Sequence, residues 1–204
     1  MNHADRQRWA SARTLADVGE ITALWLEGVI GETPGYMGAP AGETSSLIPV
    51  LAACNRAGYV TTCSQPGESG PGYDGAHWEQ RAAVEGFASV RTAARIHAAA
   101  SRAGLCVIAH DPRTHPRWRI RLRDEVPVTR RAAEDYTWFG DQISRRYIRD
   151  AHLGWGICRK DAQAELCGAW QLTVIDPEWG RTDSPLWTAL ESFAAERSRK
   201  SRAA

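Results

Sequence analysis

Segments with helical periodicity alternate with short apolar segments along most of the chain. The segment "TLADVGEITALWLEG" repeats apolar residues every three or four positions, which is the spacing of one helix face. "YVTTC" and "LCVIAH" are instead short apolar runs of the kind found in buried strands. This alternation predicts an α/β fold, with α+β as the alternative, in which helices flank a mixed β-sheet.

The same patterns predict where the strands and helices lie. Strands are expected near 59–63, 105–110, 117–122 and 169–175. The segment 78–104 is rich in alanine and is expected to be mostly helical, with a break near Gly86.

A chain of 204 residues is long enough for one domain with a substantial core. We expect an N-terminal extension over residues 1–13, a single domain over 14–196 and a basic tail over 197–204.

Charge and cysteine usage exclude several classes of partner. The formal net charge is +1, so nothing attracts nucleic acid or an anionic membrane to the whole molecule. No window approaches 18 apolar residues, and the N-terminus lacks an apolar signal core. The five cysteines are scattered without a C-x-x-C motif, which argues against both disulfides and a zinc site. We therefore expect a cytoplasmic protein with reduced thiols, no bound metal and no membrane partner.

A loop rich in glycine and proline, "QPGESGPGYDG", follows the strand near 59–63. It contains neither the P-loop pattern G-x-x-x-x-G-K-[ST] nor a dinucleotide fingerprint, and the chain has no hydrolase or kinase motif. The sequence thus identifies no catalytic residue. Glycines let the backbone approach a neighbour closely, so we expect the loop either to pack tightly or to line a ligand site.

The segment before and through this loop, "ETSSLIPVLAACNRAGYVTTCSQPGESG", carries a family resemblance. It resembles the C-terminal regulatory domain of eukaryotic-type methylenetetrahydrofolate reductases. The shared motifs are Glu-Thr-Ser, Asn-Arg-x-Gly and Thr-x-x-Ser-Gln-Pro. A second segment near the end, "LTVIDPEWGRTDSPLWTALESF", follows the order of the same domain. The resemblance covers residues 14–90 and 169–195 well and the intervening region loosely.

The resemblance implies a ligand and a set of contacts. In that family the domain binds S-adenosylmethionine (SAM) or S-adenosylhomocysteine (SAH) and regulates a separate catalytic barrel. Carried over by motif, the ligand-binding residues are Glu43, Thr44, Thr61, Ser64, Gln65 and Thr137. The glycine loop would bring backbone amides to the ligand. Too few residues precede position 14 to form a barrel, so we expect no folate reductase activity. The module would sense or sequester the ligand, or act on a protein partner in trans.

Three other interpretations stay open. The matched residues could serve only as helix caps and turn formers. The chain could instead be a small enzyme acting on SAM or a related nucleoside, with Glu43, His110 or Asp111 as acid or base. It could also be an interaction protein that uses the arginine-rich strand face Arg117–Arg123. Cys63 has no activating base nearby in sequence and is expected to be inert.

Overall fold

A computed structural model describes residues 1–114, 125–152 and 158–202 of the protein. These residues form one domain in which helices pack on both faces of a seven-stranded sheet, so the expected fold class is confirmed. Every pairing among the described strands is antiparallel, which corresponds to the α+β form. The mixture of parallel and antiparallel pairs expected from the sequence is not found among these strands.

The strands are β1 (Tyr59–Gln65), β2 (Ser69–Pro71), β3 (His77–Ala88), β4 (Cys106–His110), β5 (Val126–Arg131), β6 (Glu134–Phe139) and β7 (Trp170–Trp179). The α-helices are α1 (His3–Ser11), α2 (Leu15–Leu26), α3 (Ile48–Arg56), α4 (Val90–Arg102), α5 (Arg145–Tyr147), α6 (Lys160–Cys167) and α7 (Pro185–Arg202). Short 3₁₀ segments span Gly42–Leu47 and Pro112–Thr114, and a π-helical turn spans Ile148–His152.

β3 is the central strand of the sheet. Its inner half, residues 83–88, lies between β1 and β7, and β7 continues to β4. Its outer half, residues 77–80, lies between β2 and β5, and β5 continues to β6. Among the described strands β1 pairs with β3 alone, so its other side is a free edge of the sheet.

The strands expected near 59–63, 105–110 and 169–175 are confirmed as β1, β4 and β7. The strand expected near 117–122, with its arginine-rich face Arg117–Arg123, lies outside the described residues.

The helix expected from residue 78 onward is wrong for its first part. Residues 77–88 form β3, and only Val90–Arg102 form a helix, which begins after the N-cap Ser89. The inner half of β3 is largely buried on both faces, so apart from Glu85 it has apolar residues at consecutive positions instead of a clean alternation. An alanine-rich run of that kind looks helical by propensity, and tertiary burial overrides the propensity.

The core is divided by the sheet. On one face, Val84, Leu172 and Tyr59 pack against α3, α4 and α7. On the other face, Val60 and Phe87 pack with residues of α1, α2 and α6.

The residues before position 14 are also ordered against this core. Helix α1 places Trp9 in it with 3% of its surface exposed. Asp5 of the same helix accepts a hydrogen bond from the backbone N–H of Gly31 at 3.1 Å. No described helix is long and apolar enough to cross a membrane.

Candidate functional site

A cavity of about 420 Å³ lies along the free edge of β1. Volumes of this size are typical of pockets for small organic ligands. Its walls come from β1, from α2 and from the connection between α2 and α3, and Trp9, Phe139, Tyr147 and Leu166 complete them.

A β-bulge gives the two hydroxyl residues of the Thr-x-x-Ser motif a common face. In a regular strand, positions three apart point to opposite faces. The register shifts between Thr61 and Cys63, so that Thr61 pairs with Gly86 and Ser64 pairs with Val84. Those two partners are two residues apart on β3 and share a face, so Thr61 and Ser64 do as well. Both residues line the cavity.

The buried side chain of Asn55, near the end of α3, holds β1 at this point. Its Oδ1 accepts a hydrogen bond from the Thr61 backbone N–H at 3.1 Å. Its Nδ2 donates to Thr61 Oγ1 at 2.7 Å and to the Leu51 carbonyl at 2.8 Å. Asn55 therefore satisfies a backbone group of the edge strand that lacks a strand partner.

Glu43 and Thr44 reach the same cavity from the short helical segment before α3. Glu43 is exposed and is the one residue with a formal charge among the described residues that line the cavity. Thr44 is half-buried, and its backbone N–H donates to the Ala41 carbonyl at 2.9 Å. The site thus combines one carboxylate with several neutral hydroxyls.

Aromatic side chains form the opposite wall. Trp25 of α2 donates its indole N–H to the Gly38 carbonyl at 2.9 Å, which fixes the ring against the connecting loop. Tyr36 of that loop packs edge-on against Trp25, with ring centroids 5.9 Å apart. No motif in the sequence marks these two residues as part of a ligand site. The nine tryptophans of the chain were the available signal, because they exceed ordinary usage.

Gln65 lies at the end of β1 and also lines the cavity. Its Nε2 donates to Thr129 Oγ1 at 2.9 Å, whereas its buried Oε1 has no hydrogen-bond partner among the described residues. Thr137 pairs with Thr129 across β5 and β6, so it lies behind Gln65 and does not line the cavity. The structure therefore brings five of the six expected binding residues together and places Thr137 beyond them.

The glycines of the glycine-rich loop do not line this cavity. Gly67 is packed so closely that an added Cβ would lie 2.7 Å from the Arg181 carbonyl oxygen. The later glycines belong to β2 and to the turn that leads into β3. The expectation that these glycines bring amides to the same site is wrong, because the loop turns away from the β1 edge to pair with β3.

The side chains considered for catalysis have other partners. A ring nitrogen of His110 lies 2.7 Å from the Gly140 carbonyl oxygen, and neither His110 nor Asp111 lines the cavity. Hydrogen bonds from Arg113 lower the pKa of Asp111 to about 2. Cys63 lines the cavity and is exposed, but neighbouring protein atoms partly desolvate its thiol and, with a smaller contribution from Glu85, raise its pKa to about 11. That thiol is protonated at neutral pH and is a poor nucleophile.

These features define an α+β domain with a cavity of small-molecule size along one edge strand. A family model matches residues 4–196, and the chain belongs to that family, which is described as a domain of unknown function, DUF6919. No curated protein matches the chain.

Proposed function

We propose that the protein is a stand-alone module that binds SAM or SAH in the cavity along β1. The observation that carries the proposal is the convergence of Glu43, Thr44, Thr61, Ser64 and Gln65 on one cavity. They come from two segments separated in sequence, and they were selected from motifs that resemble the regulatory domain of methylenetetrahydrofolate reductases.

The lining suits an adenosyl ligand chemically. Such a ligand has a flat aromatic base, a ribose with two hydroxyls and a zwitterionic amino-acid end. Trp25 and Tyr36 provide aromatic surface for the base. The Glu43 carboxylate can accept hydrogen bonds from ribose hydroxyls or from an ammonium group. Glu43 carries the one formal charge in the described lining, so the positively charged sulfonium of SAM should bind more tightly than neutral SAH.

The protonated Cys63 thiol and the location of His110 and Asp111 away from the cavity favour binding over catalysis. We therefore place the small-enzyme interpretation second, with Glu43 as its remaining acid or base. A cytoplasmic protein that senses SAM or SAH would act on a protein partner in trans or sequester the ligand.

The test measures affinity and thermal unfolding with SAM, SAH, methylthioadenosine, ATP and folates. A ligand present at 100 times its dissociation constant stabilises the folded state by about 2.7 kcal/mol. We expect SAM and SAH to raise the melting temperature and ATP and folates to leave it unchanged. Formation of a product from SAM, detected by mass spectrometry, would select the enzyme interpretation. If no adenosyl compound shifts the melting temperature at millimolar concentration, the proposal is wrong.

Two variants separate ligand binding from a purely structural role. Loss of a hydrogen bond to a charged group costs about 1.5–3 kcal/mol, so Glu43→Gln and Ser64→Ala should weaken SAM binding about ten- to a hundredfold. The matched controls are Glu134→Gln on β6 and Ser101→Ala on α4, both exposed and outside the cavity lining. A cap or turn role would give the opposite result, with a lower melting temperature for the free protein and unchanged affinity.

A further inference from the structure

The hydrogen bonds of Asn55 fix which of its amide atoms is the donor. Asn55 is fully buried, and two of its partners are backbone groups with only one possible role each. The Leu51 carbonyl can only accept, and the Thr61 backbone N–H can only donate. The NH₂ group must therefore face Leu51 and the amide oxygen must face the Thr61 backbone. A flipped amide would break both bonds.

This orientation determines the role of the Thr61 hydroxyl. The same NH₂ group lies 2.7 Å from Thr61 Oγ1, so the oxygen accepts that bond. A hydroxyl can accept and donate at the same time, and its own proton must then point in another staggered direction. The structure gives the Thr61 hydroxyl no acceptor among the described residues, and Thr61 lines the cavity.

The hydroxyl of the neighbouring Thr62 has the opposite hydrogen-bonding role towards the cavity. The Thr62 hydroxyl donates to the Glu85 carbonyl at 3.3 Å, so towards the cavity it offers only lone pairs. Two adjacent threonines thus present one donor and one acceptor to the same ligand site.

We infer that Asn55 is a positioning residue that presets the Thr61 hydroxyl as a hydrogen-bond donor, so that the ligand must present an acceptor opposite Thr61. The inference rests on the proposed binding of an adenosyl ligand to this cavity. Such a ligand has acceptors at its carboxylate and on its adenosine part. Asn55 acts through Thr61 and needs no contact with the ligand.

The experiment compares Thr61→Val, Thr61→Ser, Asn55→Asp and the double variant Asn55→Asp/Thr61→Val by calorimetric titration with SAM. Thr61→Val removes the hydroxyl at nearly constant shape and should weaken binding at least tenfold. Thr61→Ser retains the donor and should bind within about threefold of the wild type. An aspartate at position 55 can only accept, so it should draw the Thr61 proton away from the cavity and weaken binding about as much as Thr61→Val.

The affinity of the double variant distinguishes a role of Asn55 through the Thr61 hydroxyl from a merely structural role of Asn55. If Asn55 acts through the Thr61 hydroxyl, Asn55→Asp/Thr61→Val should bind within about twofold of Asn55→Asp alone. Independent losses that multiply would overturn the inference, as would wild-type affinity in Thr61→Val. If Asn55→Asp does not fold, the comparison of Thr61→Val with Thr61→Ser still tests the inference. Equal affinities of these two variants for SAM would overturn the role of the Thr61 hydroxyl as a donor.

Methylthioadenosine, which lacks the amino-acid end, identifies the acceptor. If the Thr61→Val penalty disappears with methylthioadenosine, the acceptor lies on the amino-acid end, and if the penalty persists, it lies on the adenosine part. Both results support the inference. Failure of the wild type to bind any adenosyl compound would refute the proposed function, whereas wild-type binding with unaffected variants refutes the role of Asn55 alone.

Discussion

The two halves of β3 differ in burial and in what they support. The inner half is largely buried, pairs with β1 and β7, and so supports the strand β1 that lines the cavity. The outer half pairs with β2 and β5 and leaves aromatic side chains in water, including Tyr73 at 96% exposure in the adjoining turn. One strand thus has a buried half that supports β1 and a more exposed half that should tolerate substitution. Substitutions in the two halves should have very different effects on stability.

The largest difference should appear at glycines. An added Cβ at Gly86, in the inner half, would lie 2.3 Å from the Val60 carbonyl oxygen, so the backbone of β1 or β3 must move. Gly86→Ala should therefore lower the free energy of unfolding by about 3 kcal/mol. Gly70→Ala, in β2 beside the outer half, has no atom within 4 Å of the new Cβ and is the matched control. Urea denaturation of both variants measures the difference. Equal losses would mean that the two halves are equally tolerant.

A second difference concerns thiol reactivity beside the inner half. Cys63 lies opposite Glu85, and although the residue is exposed, the protein atoms packed around its thiol exclude water and raise its pKa to about 11, above the usual value for cysteine. At pH 7.5 the thiolate fraction is small, so we expect alkylation of Cys63 by iodoacetamide about tenfold or more slower than that of glutathione. The rate should rise with pH up to about 11. Peptide mapping by mass spectrometry measures it, and a rate like that of glutathione would contradict the pKa.

The smallest expected effect on stability comes from removing a tyrosine hydroxyl, and it should differ between a buried and an exposed tyrosine. Tyr59 is fully buried, and its hydroxyl is 3.0 Å from the carbonyl oxygens of both Val84 and Leu172. Tyr59→Phe should reduce the free energy of unfolding by about 1 kcal/mol. Tyr73→Phe should change it by less than about 0.5 kcal/mol, because its hydroxyl is in water. Thermal unfolding of the two variants makes the comparison, and a reversed order would contradict it.

Local patterns were enough to predict the fold class and several strands. The α2 start at Thr14 has a capping box with Asp17, a signal visible in sequence. Residues 77–88 were mispredicted because burial on both faces removes the alternation that identifies a strand. The antiparallel order of the sheet depends on contacts between distant segments, and no local pattern carries that information.

The candidate site was predicted from motifs to the extent that its residues are close in sequence. Five expected residues meet in one cavity, and they come from two short segments that lie close together in the sequence: Glu43, Thr44, Thr61, Ser64 and Gln65. The aromatic wall was missed because Trp9, Trp25 and Tyr36 come from other elements and belong to no motif. The role of Asn55 required the atomic hydrogen bonds, since a buried asparagine near a helix end has many possible partners.

The free edge of β1 also bears on self-association. An edge strand with unpaired backbone groups is a template for another chain, and proteins cover such edges to avoid intermolecular sheets. In this domain α2 and the α2–α3 connection that carries Tyr36 cover the cavity side of that edge. Changes that loosen the connection would expose the edge at the same time as they open the cavity. If a ligand binds in this cavity as proposed, it would hold this cover in place and so also protect the domain against aggregation.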